Sequence, residues 1–160
     1  MLGQFILNLF IATLWFLLKD EPEAQFTTFV TGFLVGIVIL YVMHRFFGTQ
    51  FYLRRVAKIF KLILLFIREL LMSSMSVLKQ ILTPNLKITP GIFTYETRLT
   101  GDYEVTALAL LLTLTPGSVV MEVSEEGNLF YIHAMDIEKS KEAVIRSIDK
   151  FEQAILEVTR

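Results

Sequence analysis

The 160-residue chain contains no cysteine, which excludes disulfides, thiolate metal sites and a cysteine nucleophile. It has only two histidines, His44 and His133, and no P-loop, G-x-G-x-x-G or H-E-x-x-H pattern. The signatures of phosphate cradling, dinucleotide binding and zinc proteolysis are therefore absent. Charge is also sparse, at 19% of residues against about 25% in an ordinary soluble domain. Hydrophobic residues reach 54% and include 14 Phe, which is too much apolar surface for a disordered chain. One or two small units fit this length.

The scarce charge is unevenly placed. Residues 1–90 hold nine Lys/Arg and four Asp/Glu, whereas residues 91–160 hold six and twelve, so a net +5 precedes a net −6. Residues 1–18 contain no charged side chain and are long enough for a membrane span, which needs roughly 17–25 residues. A secretory signal would want a basic start and a small-residue cleavage site; neither is present, so a true span is expected over about 2–18. Lys19-Asp20-Glu21-Pro22-Glu23 forms a polar connection that Pro22 keeps from continuing as helix. A second uncharged run follows over about 24–43. Gly32 and Gly36 within it form a small-xxx-small pair that lets another helix approach. The plainer reading is that glycine is common in membrane helices. Asn8, Gly32 and Gly36 are assigned to helix packing with partner chains. Basic residues gather after the second run, at Arg45, Arg54, Arg55, Lys58 and Lys61, which places both ends of the hairpin in the cytoplasm. His44 at the end of that run suits interfacial anchoring.

Residues 54–82 are helical in pattern, but Arg68 and Glu69 interrupt their apolar run. At 100° per residue, Arg54, Lys58, Lys61, Arg68 and Lys79 fall within about 80° of arc. This pattern favours a helix lying in the membrane interface with its basic side toward headgroups. The alternative is a third, tilted span with its charges buried against partner chains; it would place the C-terminal half outside. Neither uncharged run offers an ionisable residue at membrane depth, as an ion pathway requires. The chain alone is therefore not expected to carry ions.

A linker over 83–92 contains Thr83-Pro84-Asn85 and Thr89-Pro90-Gly91. Residues 93–99 then alternate as a strand, Asp102 is a plausible cap for an apolar helix over about 103–114, and Thr115-Pro116-Gly117-Ser118 stops that helix. The helix is apolar nearly all round, so it should be buried in a core or docked on the membrane helices. Residues 119–124 and 129–135 read as a hairpin. Asp136 can cap a final helix over about 137–158, whose apolar stripe is Val144, Ile148, Phe151 and Ile155. The expected fold is a membrane α-helical hairpin plus an amphipathic helix, followed by a small α+β (β-α-β-β-α) cytoplasmic domain over 93–160. His133, three residues before Asp136, could form a catalytic or metal fragment. No third ligand accompanies it, and a structural histidine bonded near the Asp136 cap is the plainer expectation. Thr115, Pro116, Gly117, His133 and Asp136 are thus read as turn and cap residues. No catalytic residue, metal or cofactor is expected. The acidic C-terminal half gives no support to nucleic-acid binding.

Taken in order, these residues resemble the E subunit of the Mrp (Mnh/Sha) multisubunit Na+/H+ antiporters of bacteria. The resemblance runs nearly end to end. It includes Asn8 and Trp15, Arg45-Phe46-Phe47, Phe51-Tyr52-Leu53-Arg54-Arg55 and Pro90-Gly91-Ile92. Its most specific pieces are Leu114-Thr115-Pro116-Gly117, Tyr131-Ile132-His133-Ala134-Met135-Asp136 and the ending Phe151–Thr159. Ser118 stands where the family usually has Thr; the hydroxyl, and so a turn or capping role, is kept. The resemblance implies a small accessory subunit of the bacterial plasma membrane, assembled with large antiporter-like subunits and other small ones. The whole complex exchanges cytoplasmic Na+ for external H+. The implied partners are those subunits and the lipid bilayer, with no small-molecule substrate bound by this chain alone. Two rival readings remain: a membrane-tethered sensor or adaptor with a ligand-binding α+β domain, and a membrane enzyme using His133 and Asp136.

Overall fold

A computed structural model of the chain describes residues 2–19, 26–47, 51–84 and 88–160, the side chains of 45–47 excepted. Within them five helices and three strands follow in the order α1 (Leu2–Leu18), α2 (Phe26–Phe47), α3 (Tyr52–Ile81), β1 (Gly91–Glu96), α4 (Asp102–Leu114), β2 (Ser118–Val123), β3 (Leu129–Ala134) and α5 (Ile137–Thr159). Packing divides the chain into two compact units, one up to Ala57 and one from Lys58 onward. Most of α3 therefore belongs to the same unit as the sheet, although the sequence alone places a linker between them at 83–92. The Lys19–Glu23 connection, beyond Lys19, lies outside the described residues, as do the side chains of Arg45-Phe46-Phe47.

The first unit is an antiparallel pair, α1 against α2, closed by the first turn of α3. Thr28, Gly32, Gly36 and Leu40 are buried on α2 at a spacing of four, one side of a helix. Asn8 and Ala12 are the fully buried residues of α1. Phe26–His44 is long and apolar enough to cross a membrane. Leu2–Leu18 is apolar but only 17 residues long, at the short end of the spanning range. Leu18, Phe26, Leu34 and Val38 face outward. Along the α1–α2 seam the buried positions are mostly small or polar, and many large apolar side chains stand outside, an arrangement suited to surroundings as apolar as the side chains themselves.

The second unit has the opposite order. Its three-stranded antiparallel sheet runs β1-β3-β2. Phe93 sits opposite Ile132, and Val120 opposite Ile132 from the other side. These inward positions join Leu99, Leu108, Leu112, Phe130, Ala134, Ile148, Phe151 and Ile155 in one core. Leu62, Leu65 and Phe66 of α3 pack against it. Each fully buried Phe, Leu or Ile is worth about 1.5–3 kcal/mol relative to exposure. The α5 stripe foreseen from spacing is the one that enters the core: Ile148, Phe151 and Ile155 are buried and Val144 is partly so. A bulge at Met121 shifts the β2–β3 register and leaves that side chain exposed. The β2–β3 loop turns at Gly127, whose φ of +73° favours glycine.

Three expectations need correction. The apolar helix α4 is not covered all round: Leu108 and Leu112 are buried, whereas Tyr103, Leu110 and Leu114 are exposed. Asp102 is the first residue of α4 rather than its cap; Gly101 holds the N-cap position with no side-chain bond. Glu104, three residues on, hydrogen-bonds back to the backbone of Thr100 and Gly101, half of a capping box. Asp136 does occupy the N-cap position of α5, but its carboxylate makes no capping bond. The first N–H of the helix, that of Ile137, donates instead to the Thr89 carbonyl at 2.8 Å.

Candidate functional site

Three constellations gather the residues that the sequence singles out. The first is the α1–α2 seam. A Cβ on Gly32 would stand 2.7 Å from Trp15 Cβ, and one on Gly36 would collide with Asn8 Oδ1. The close approach that this glycine pair permits is made by α1 of the same chain. Asn8 Nδ2 donates to Tyr52 Oη at 2.9 Å, and the Tyr52 N–H donates to Gln4 Oε1 at 2.9 Å. Phe51 and Tyr52 are buried beside Leu40. Phe51 meets Tyr41 edge-on at 5.4 Å and lies 5.7 Å from the His44 ring. His44 also contacts the Tyr41 carbonyl. Asn8, Trp15 and Phe51-Tyr52, which carry part of the family resemblance, are thus the internal fastening of this hairpin. A sequence reading can find them but cannot tell an internal contact from an external one.

The second constellation joins α3 to α5. Glu69, only 7% exposed, accepts hydrogen bonds from Ser147 Oγ at 2.7 Å and Lys150 Nζ at 2.9 Å. Burial pushes its pKa upward, but those two bonds and the neighbouring Lys150 and Arg68 charges outweigh it and hold the carboxyl below its ordinary value. Lys61 pairs with Glu157 at 2.9 Å. Of the other basic candidates, Arg54 and Arg68 are exposed, and Arg55 and Lys58 are half-buried. Beside Glu69 lies a cavity of about 310 Å³, walled by α3, α5 and the Thr115–Ser118 turn. Gln80 Oε1, in its lining, is buried without a hydrogen-bond partner. The turn is built as its residues dictate. Thr115 Oγ1 donates to the Leu112 carbonyl at 2.8 Å, Gly117 adopts φ +94°, and the Gly117 carbonyl accepts from Met135 N at 2.9 Å.

The third is a buried acid that sequence reasoning missed. Glu152, fully buried on α5, accepts from the Thr97 hydroxyl, from Arg98 N at 3.1 Å and from Arg98 Nε at 2.9 Å. It ties the chain after β1 to α5. Glu152 adjoins Phe151 of the apolar stripe, the one available signal that it turns inward. Nearby, the Tyr95 hydroxyl donates to Asp149 at 2.9 Å. Its burial and the Asp149 and Glu152 carboxylates raise its ionisation above the usual phenol range.

The structure does not bring His133 and Asp136 together by a bond. His133 lies on β3 opposite Ile92 and Val119, on the strand face away from Phe130, Ile132 and Ala134. Asp136 is buried, with Lys139 Nζ 3.4 Å from Oδ2 and no hydrogen-bond donor on either carboxylate oxygen. The expected structural bond between His133 and the Asp136 cap is therefore replaced by alternation along the strand, which turns the two side chains to different surroundings. Among the described residues, no group of three His, Asp or Glu is placed to hold a metal ion.

Residues 8–158 match the family described as Na+/H+ ion antiporter subunit. The Na(+)/H(+) antiporter E subunit of Bacillus subtilis is 46% identical over 157 residues, 98% of each chain. Among solved structures, a chain of the membrane-bound sulfane sulfur reductase, an archaeal respiratory membrane complex, aligns with a TM-score of 0.53 and 24% identity. That alignment covers 95% of this chain and 98% of the other, a likeness of fold. A chain of the Mrp complex from Dietzia sp. DQ12-45-1b is 28% identical, with a TM-score of 0.46, over 64% of this chain and 96% of that one.

Proposed function

We propose that this chain, which belongs to the Na+/H+ ion antiporter subunit family, is a non-catalytic accessory and assembly component of a multisubunit plasma-membrane antiporter. Its partners are the other antiporter subunits. The complex exchanges cytoplasmic Na+ for external H+, and the ion pathway runs through those other subunits. The observation that carries this reading is the make-up of the hairpin. α1 has no acidic or basic side chain, and α2 has only His44 and Arg45 near its end, yet their large apolar side chains face outward. Such helices are good neighbours for lipid and other helices and poor carriers of charge. The basic residues after α2 support a topology with the sheet-bearing unit in the cytoplasm. In that arrangement Asn8, Gly32 and Gly36 hold the hairpin in the shape it presents to its partners.

Deletion of the chain is expected to abolish co-purification of the remaining subunits as one complex and to remove Na+ resistance. Intact assembly and resistance without it would overturn the reading. The cavity beside Glu69 lends a place to a second reading, a ligand-sensing adaptor. One wall of that cavity comes from α3, so a fragment over 93–160 alone would lack the complete site. Ser76→Trp at its exposed rim distinguishes the two. An accessory component keeps Na+ resistance, whereas a sensor loses it.

A further inference from the structure

The long helix α3 has three distinct sides. At 100° per residue, Ile63, Leu64, Ile67, Leu71, Met75 and Leu78 share an arc of about 120°, and all six are exposed. Arg54, Lys58, Lys61, Arg68 and Lys79 occupy the adjoining edge, about 80° wide. The remaining side carries Leu62 and Phe66 into the core, joined by Leu65 from the border of the basic edge, and Glu69 into its bonds with Ser147 and Lys150. Glu69 is the sole acid of α3, against six Lys/Arg, and it is buried on that inner side. No carboxylate of α3 therefore remains on its exposed surface to oppose an anionic partner.

α5 runs along the inner side of α3 in the opposite direction. Glu157 meets Lys61, Ser147 and Lys150 meet Glu69, and Ser140 and Ala143 face the same cavity as Ser76 and Gln80. The side of α5 that borders that cavity also carries Lys139, Glu142 and Arg146, all well exposed. If residues 61–80 of α3 crossed a bilayer, those charged side chains would enter the hydrocarbon with it, where each carries a steep transfer cost. Length permits a crossing, because 30 helical residues rise about 45 Å, but the attached charged helix opposes one.

We infer that α3 lies flat in the bilayer interface, its Ile63–Leu78 face in the acyl boundary, its basic edge on anionic headgroups and the sheet-bearing unit carried on its inner side. This is the geometry of an amphipathic surface helix, and basic side chains at that depth are attracted by anionic lipid. The inference rests on the membrane location in the function proposed above, not on the accessory role. Co-purification tests that role, whereas helix depth tests the inference.

The chain has no native cysteine, so single substitutions Ile63→Cys through Lys79→Cys can be spin-labelled one at a time. The labelled full-length chain, in its complex, is placed in vesicles of phosphatidylcholine and phosphatidylglycerol. Oxygen and water-soluble nickel-chelate accessibilities then read the depth of each label. The expected profile oscillates with the helical period about one constant depth: lipid contact at 64, 67, 71 and 75, aqueous contact at 68 and 79. A depth that climbs to the bilayer centre and descends to the opposite side would overturn the inference in favour of a crossing. Labels at 64, 67 and 71 reached by neither reagent would overturn it in favour of a helix covered by another protein of the complex. In vesicles of phosphatidylcholine alone the same labels are expected to sit shallower. Unchanged depth there would overturn the assignment of the basic edge to anionic lipid.

Discussion

In the hairpin unit, Asn8, Ala12, Thr28 and Leu40 are buried together with Gly32 and Gly36, while Phe26 and Leu34 stand outward. In the sheet-bearing unit, Phe130, Phe151, Ile132 and Leu108 are buried, and Lys139 and Glu142 stand outward. The first unit gains contact through close backbone approach, which only small residues allow, because its surroundings give no drive to hide large apolar groups. The second removes large apolar groups from water and then must satisfy acids caught near that core, as it does Glu69 and Glu152. Residue size alone is thus a poor guide to which side of a helix faces inward in this chain; the solvent of each unit decides it.

The largest expected effect falls in the second unit. Phe130→Ala removes a fully buried ring and should cost about 3–5 kcal/mol, enough to unfold a small sheet. Hydrogen exchange should show β1–β3 and α5 losing protection while α1 and α2 keep theirs. Loss of protection in both units would show that their stabilities are coupled. Gly36→Leu is the converse. It drives a side chain into Asn8 and should cost about 1–3 kcal/mol. A cysteine pair placed across the α1–α2 seam should then lose its cross-linking efficiency, with the sheet unchanged by circular dichroism.

The third effect depends on pH. The Glu69 carboxyl ionises below its ordinary range in the folded chain, so its contribution is complete above that range and is lost as pH falls through the lowered value. Glu69→Gln should cost about 1–2 kcal/mol near neutrality. The gap in melting temperature between variant and parent should close in acid and stay constant toward alkali; a gap that instead widened in acid would contradict the assigned bonds. The smallest effect is at Lys61, whose own side chain is solvent-exposed and whose partner Glu157 is partly so. Such pairs contribute little, and Lys61→Ala should leave the melting temperature of the sheet-bearing unit unchanged.

Much of the fold was legible because it rests on local patterns. The uncharged runs became α1 and α2, the alternation around Phe93 and Phe130 became β1 and β3, and Pro116-Gly117 stopped α4 where the chain has a left-handed glycine. The capping residues were less legible. Asp102 and Asp136 have the right chemistry for caps, yet Gly101 holds the N-cap position of α4 and the Asp136 carboxylate makes no capping bond, because residue preference states what a side chain can bond and not where the folded backbone aims it. Glu152 gave almost no signal, since an acid beside an apolar stripe is ordinarily solvated.

The amino-acid order by itself determined the two unlike halves, the uncharged hairpin and the β-α-β-β-α order, which follow from composition and periodicity along the chain; the family came from its resemblance to known relatives. Only the tertiary structure decided that Gly36 faces Asn8 of the same chain, that Glu69 is held by Ser147 and Lys150, and that α3 carries the sheet-bearing unit on one side and an open apolar face on another. Those outcomes depend on which surfaces meet across dozens of residues, and helical periodicity states which side chains share a face without stating what that face will touch.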